Sequence, residues 1–324
     1  MPKFKVFVTR LIPEAGLALL KKRKDISLSV YPKNRVISQK ELLAGVMGTD
    51  AILCLLTDKI DASLLDAAGP QLKVVANYAV GYDNIDLAAC TKRGVKVANT
   101  PGVLSNAVAE HTFALMMAVT RRIAEADKFI RAGKYHGWEP MMLLGMGLQG
   151  KTLGVIGLGR IGKGVVDRAA RGMGMKIMYY DVKRDKAFEA QEPGTVFATV
   201  DQIMRKADVI SIHVPLLPTT RHLINAKRLA MMKKGAYLIN TSRGPIIDEK
   251  ALVSALRKGL LAGAALDVFE NEPALAPGLV DLPNVVLTPH IASATIGARS
   301  DMSQLAAQAI IDVLDGKQPK NLVR

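Results

Sequence analysis

The stretch Gly157-Leu158-Gly159-Arg160-Ile161-Gly162 constrains this chain more than any other. It follows Thr152-Leu153-Gly154-Val155-Ile156, an apolar run that reads as a short buried strand. It leads into Lys163–Ala170, which reads as the start of a helix. Glycines spaced this way between strand and helix suit a pyrophosphate. The first permits the tight turn, the second lets backbone approach the phosphates, and the third lets helix pack on strand. The helix start adds free N–H groups and a positive dipole end. A second strand, Lys176–Tyr180, ends in Asp181, 19 residues past Gly162. An acid at about that distance, roughly 20 residues, hydrogen-bonds the adenosine ribose and repels a 2′-phosphate. NAD(H) is therefore expected ahead of NADP(H), with Lys183 and Arg184 softening the preference.

The loop begins near the middle of the chain, so a substantial unit precedes it. The length of 324 residues, 49% of them hydrophobic, allows two domains of about 150 residues each. No run of about 18 apolar residues indicates a membrane span. Met1–Arg10 alternates like a strand and lacks the apolar region of a signal peptide. Cys54 and Cys90 are the only cysteines and form no CxxC pair, which fits a reducing compartment and argues against disulfides or structural zinc. A cytoplasmic protein with no metal site is expected. The net charge of +15 is spread over Lys21–Lys24, Arg121-Arg122, Lys183-Arg184 and Lys233-Lys234, and aromatics make up only 5%. A nucleic-acid surface would concentrate its basic residues and interleave aromatics. The charge reads as solvated surface that draws in an anionic cofactor and a small anionic substrate. Neither a nucleic-acid nor a membrane partner is expected.

The first hundred residues predict strands at 4–9, 26–31, 51–55, 74–78 and 95–99, with helices at 13–24, 38–47 and 62–68. Thr100-Pro101-Gly102 breaks the pattern, and Ser105–Arg122 reads as one long helix. Beyond the glycine loop, strands are expected at 209–214, 236–240, 264–268 and 285–287. Helices fall at 201–206, 227–232 and 248–258, with a last one at 298–314 that can return to the N-terminal unit. Alternation of this kind implies α/β architecture: two Rossmann-like or flavodoxin-like doubly wound parallel-sheet domains with a cleft between them.

Three ionisable residues fall where strands of the nucleotide unit end. Arg243 follows Leu238–Ser242, Glu272 follows Ala264–Val268 within Phe269-Glu270-Asn271-Glu272-Pro273, and His290 follows Val285–Pro289. Ligands of open parallel sheets bind beyond the carboxyl ends of the strands, so all three can line one crevice. Hydride transfer to a carbonyl leaves negative charge on oxygen, and a histidinium can supply the proton. A glutamate behind it fixes its tautomer and favours its charged form. An arginine fork matches a carboxylate. Together they describe reduction of a 2-keto acid, or oxidation of a 2-hydroxy acid. His111, His136, His213 and His222 lack metal-ligand spacing and read as structural.

With these residues in place, the chain resembles the D-isomer-specific 2-hydroxyacid dehydrogenases, and among them the glyoxylate and hydroxypyruvate reductases. Val75–Asp86, Asn99–Gly102, Gly154–Gly162, Asn240–Gly244, Leu266–Glu270 and Leu287–Ile291 carry the resemblance across nearly the whole chain. It implies that the backbone of Ala79, Val80 and Gly81 receives the substrate carboxylate. Arg160 and Ile161 would contact the pyrophosphate, and Asp181 the ribose. Val214, Pro215 and Thr241 would line the cofactor, with Asp267 near the nicotinamide amide. It further implies a homodimer and a discontinuous substrate-binding domain, 1–99 plus 292–324, around a nucleotide-binding domain, 100–291. Val80 stands where similar phosphite dehydrogenases carry lysine. Asp181-Val182-Lys183 replaces the Ser-Arg-Thr of NADPH-using reductases, which favours NADH. In similar reductases a tryptophan from the partner subunit closes the pocket, a role open to Trp138. The expected reaction is glyoxylate to glycolate, with hydroxypyruvate to D-glycerate beside it. Another 2-keto acid such as pyruvate is an alternative, although 3-phosphohydroxypyruvate is disfavoured because no C-terminal regulatory domain is evident. A dinucleotide-sensing corepressor is the other, disfavoured because the chain shows no long disordered extension.

Overall fold

The computed structural model describes residues 2–323. The chain forms two units: one runs to Leu104 and resumes at Ser293, and the other is Ser105–Ala292. The first contains β1 (Phe4–Val8), α1 (Glu14–Lys21), β2 (Ile26–Val30), α2 (Gln39–Val46), β3 (Ala51–Cys54), α3 (Ala62–Ala68), β4 (Val74–Asn77), α4 (Leu87–Lys92) and β5 (Lys96–Ala98). The second opens with α5 (Ser105–Thr120) and α6 (Ile123–Arg131). It continues through β6 (Thr152–Ile156), α7 (Arg160–Asp167), β7 (Lys176–Tyr180), α8 (Lys186–Gln191), β8 (Val196–Phe197), α9 (Val200–Lys206) and β9 (Val209–Ile212). It closes with α10 (Ala226–Leu229), β10 (Tyr237–Asn240), α11 (Glu249–Arg257), β11 (Gly263–Leu266) and β12 (Val285–Leu287). The last helix, α12 (Ile296–Leu314), belongs to the first unit.

Both sheets are parallel, as the α/β alternation predicts. The first unit orders its strands β2-β1-β3-β4-β5, the flavodoxin-like arrangement. The second orders them β12-β11-β10-β9-β6-β7-β8, the Rossmann arrangement with one further strand. Helices cover both faces, so the central strands need no polar face. β3, β4, β9, β10 and β11 are accordingly buried at every position. In the second unit one apolar layer packs Ile210, Ile212 and Leu238 under Ile203 and Leu252. The opposite layer packs Val155, Tyr179 and Ile239 under Met116 and Val165. In the first unit α12 lies on α1 and over β3–β5, with Ala306, Ala309 and Ile310 buried. The Gly16 N–H donates to Ser303 Oγ at 3.0 Å, fixing that crossing.

Several elements depart from the sequence-based expectation. The long helix ends at Thr120; Arg122 takes a left-handed φ of 54°, held by its fork on Glu125, and α6 follows as a separate helix. α7 begins at Arg160 rather than Lys163, because Gly159 already serves as its N-cap. α4, α8 and the two-residue β8 lie outside the expected set. The first two are six-residue helices started by Asp86 and Asp185, whose side chains accept from Ala89 and Phe188 N–H groups. Among the described residues, no helix is long and apolar enough to cross a membrane.

Candidate active site

The residues expected to hold a dinucleotide follow successive strands of the second unit. Gly157 follows β6, Asp181 follows β7, Val214 and Pro215 lie past β9, Thr241 follows β10 and Asp267 follows β11. The strand order reverses between β6 and β9, the switch point at which open parallel sheets bind ligands. Gly157 has φ of 101°, and a Cβ there would stand 2.7 Å from the His213 carbonyl carbon. A Cβ on Gly162 would stand 2.2 Å from the Gly157 oxygen, so the helix start could not close onto the turn. Space is open beside Gly159, and no side chain caps α7 there. The first-turn N–H groups, those of Arg160 and Ile161 among them, therefore remain for an anion. Asp181 braces this loop: its two carboxylate oxygens accept from Leu158 N–H and Val182 N–H, each at 2.7 Å. Thr241 donates to Thr112 Oγ1 at 2.7 Å, since Thr112 spends its own proton on the Val108 carbonyl. Ser242 Oγ donates to the Val214 carbonyl, joining the ends of β9 and β10. Glycine turn, bare helix start and strand-end acid together fit a dinucleotide.

The three residues proposed for chemistry all lie in this same unit. His290 Nδ1 lies 2.9 Å from Glu272 Oε2, and the other oxygen, Oε1, accepts from Phe269 N–H at 3.0 Å. Burial alone would raise the Glu272 carboxyl, but the His290 contact, the Phe269 N–H and Arg243 together hold it below the usual range. An ionised carboxylate only accepts, so Nδ1 carries the hydrogen and Nε2 is left to exchange a proton. Arg243 stands three residues past the end of β10, with its carbonyl fixed by Asn240 Nδ2 at 2.9 Å and Nη1 on the Ser242 carbonyl at 2.9 Å.

His290 itself has φ of 55°, a left-handed backbone that histidine adopts at some cost. Asp267 supplies the restraint. It is fully buried, and its carboxylate accepts from Ile291 N–H and Ala292 N–H at 2.8 Å each and from Thr288 Oγ1 at 2.6 Å. Its carbonyl accepts from His290 N–H at 2.9 Å. Thr288 gives its proton to Asp267, so His111 Nε2, 3.1 Å from Thr288 Oγ1, must be a donor. Burial would raise the Asp267 carboxyl, yet His111, Thr288 and the two N–H groups hold it below the usual range. The resemblance places Asp267 beside a nicotinamide; the contacts in the structure are those of an anchor for the segment that carries His290. His213, partly buried and 2.8 Å from Ser211 Oγ, is pushed by burial down to about 3.

Ala79, Val80 and Gly81 belong to the other unit, just beyond β4. Their three carbonyls are all taken: Ala79 by Thr100 N–H at 2.8 Å, Val80 by Asn99 Nδ2 at 2.7 Å, Gly81 by Asn77 Nδ2 at 2.8 Å. No acceptor among the described residues takes their N–H groups. Sequence reasoning does not single out Asn77 and Asn99. The signal available is an asparagine at each of two neighbouring strand ends, a residue suited to donating sideways to loop carbonyls.

Residues 113–292 match the family model described as D-isomer specific 2-hydroxyacid dehydrogenase, NAD binding domain. The chain is similar to a protein named glyoxylate reductase from Thermofilum pendens, 53% identical over 100% of this chain and 95% of that one. It is similar to another so named from Thermococcus litoralis, 49% identical over 99% of this chain and 97% of that one. A crystal structure of a Thermus thermophilus protein superposes with a TM-score of 0.92 at 42% identity, covering 99% of this chain and 100% of that one.

Proposed function

The chain belongs to the D-isomer-specific 2-hydroxyacid dehydrogenases, and from that membership we propose that it reduces glyoxylate to glycolate with NADH, and hydroxypyruvate to D-glycerate by the same route. It is an NAD(P)-dependent oxidoreductase acting on CH–OH donors. The observation that carries the mechanism is the His290–Glu272 pair at 2.9 Å with Glu272 ionised. A reduced nicotinamide, when bound, supplies hydride to the carbonyl carbon. Arg243 takes the substrate carboxylate through its planar fork. As charge builds on the carbonyl oxygen, His290 donates its Nε2 proton and Glu272 stabilises the charged imidazole until it does so. The second route differs only in the CH2OH of hydroxypyruvate. In a panel of glyoxylate, hydroxypyruvate, pyruvate and 3-phosphohydroxypyruvate, kcat/KM is expected to be highest for glyoxylate. A larger value for pyruvate would overturn the substrate reading.

The preference for NADH rests on Asp181 and on how nearby cations are engaged. Arg184 is forked onto Glu189 at 2.9 and 2.8 Å, and Lys163 is held by Asp185 at 2.7 Å. Neither is spare for a 2′-phosphate, which Asp181 would also repel. Asp181→Ala is expected to raise the NADPH/NADH ratio of kcat/KM by about tenfold or more, the scale of one close charge repulsion removed. An unaltered ratio would refute the assignment. NADH rates should fall as well, because Leu158 N–H loses its acceptor.

The active form we propose is a homodimer. The 135–144 segment exposes Tyr135, Trp138 at 81%, Met141 at 76% and Leu144 at 57%, far more apolar surface than a solvated loop requires. Sedimentation should give twice the chain mass; a single-chain mass at assay concentration would sink this.

A further inference from the structure

A further histidine–carboxylate pair lies in the nucleotide unit, outside the residues assigned to chemistry. His222 Nε2 is 2.6 Å from Glu270 Oε1, and the carboxylate requires that Nε2 be the donor. His222 has φ of 49°, so this histidine, too, is held in a left-handed conformation. Its backbone N–H donates to the Pro245 carbonyl at 2.9 Å, two residues past Arg243. From there Ile224 N–H donates to Ile246 at 3.0 Å and Asp248 N–H to Ile224 at 3.0 Å, so 222–224 runs alongside the turn after Arg243.

Glu270 lies two residues before Glu272 in the chain. Its N–H donates to Glu249 Oε1 at 2.7 Å, and its Oε2 accepts from Glu249 N–H at 3.3 Å. Glu249 is 2% exposed and opens α11, so the exchange ties the Glu270 loop to a helix start. The Arg243 turn also packs directly on this loop: a Cβ on Gly244 would stand 1.8 Å from the Phe269 carbonyl carbon. Phe269 N–H is in turn the donor that holds Glu272.

We infer that His222 and Glu270 are positioning residues, a clamp that fixes the Arg243 turn against the Glu272 loop and so sets the arginine relative to His290. Neither needs to touch substrate. The His222 side chain is 41% exposed, and a partly solvated pair contributes little to stability. Its value lies in register, since a displacement of about an ångström in a catalytic group can cost on the order of a hundredfold in rate.

The inference rests on the proposed role of Arg243, and the test separates the two. His222→Leu, His222→Gln, Glu270→Asp and Arg243→Ala are compared with the wild type for glyoxylate kcat and KM, NADH affinity by fluorescence titration, and Tm. His222→Leu is expected to lower kcat/KM for glyoxylate about tenfold or more while NADH affinity and Tm hold. His222→Gln, which keeps an N–H donor, should recover most of that loss. Glu270→Asp, which shortens the reach to His222, should show the same pattern as His222→Leu. Wild-type kinetics in His222→Leu, with Arg243→Ala crippled, would overturn the clamp alone. Equal losses in NADH affinity and Tm, without rescue by glutamine, would reduce it to a structural role and also overturn it. Undiminished activity in Arg243→Ala would remove the reading of the site itself.

Discussion

His290→Ala is expected to lower kcat for glyoxylate reduction by about 10²- to 10⁴-fold, the usual range for removing a positioned acid. Among the described residues the imidazole is the one group bonded to Glu272 Oε2 that can deliver a proton, and alanine leaves water in its place. NADH affinity should stay within a few fold of the wild type. The loop at Gly157–Gly162, the start of α7 and Asp181 are separate from the β12 end that carries His290. Loss of affinity in step with loss of turnover would mean that the histidine holds the cofactor rather than the proton. Turnover near wild type would remove it from the mechanism.

Asp267→Ala should be the most damaging substitution for the fold around the site. The carboxylate is fully buried and accepts from Thr288 and from two backbone N–H groups, with His111 Nε2 at 3.5 Å. Removing it leaves Ile291 N–H and Ala292 N–H without acceptors, at about 1–3 kcal/mol each. Breaking a buried charged network costs roughly 3–5 kcal/mol in all, which corresponds to a fall in Tm of roughly 10 °C for a unit of this size. The left-handed backbone at His290 loses its restraint at the same time, so turnover should fall even well below the new Tm. A Tm within about a degree of the wild type would contradict the anchoring role.

Much of this is legible in the residues because strand ends announce themselves. Short apolar runs stop at Gly157, Asp181, Thr241, Asp267 and Thr288, and a parallel sheet puts every such stop on one edge. The family pattern then assigns roles along that edge. Pairings that cross the sequence are not legible. Glu272 and His290 are 18 residues apart, Glu270 and His222 48, and His111 and Thr288 177; no local period connects them. Asp267, placed near the nicotinamide amide by the resemblance, also holds backbone N–H groups of the next strand end, and no sequence pattern announces those contacts. An acid after a strand reads as ligand-facing whether its oxygens meet a cofactor or the backbone of the next strand end. α6 escapes because its helix starts without a glycine or a capping side chain, on an arginine in left-handed conformation, and buries none of its residues.

Reduction of a 2-keto acid by NADH is the reaction assigned to the His290–Glu272 pair and Arg243. It is followed by absorbance at 340 nm for the purified protein with NADH and glyoxylate, together with identification of the product. A steady loss of NADH matched mole for mole by glycolate is expected, and almost none with His290→Ala. Tight NADH binding with no loss of absorbance for any 2-keto acid would contradict the assignment, and would point instead to a protein that senses the dinucleotide without turning it over.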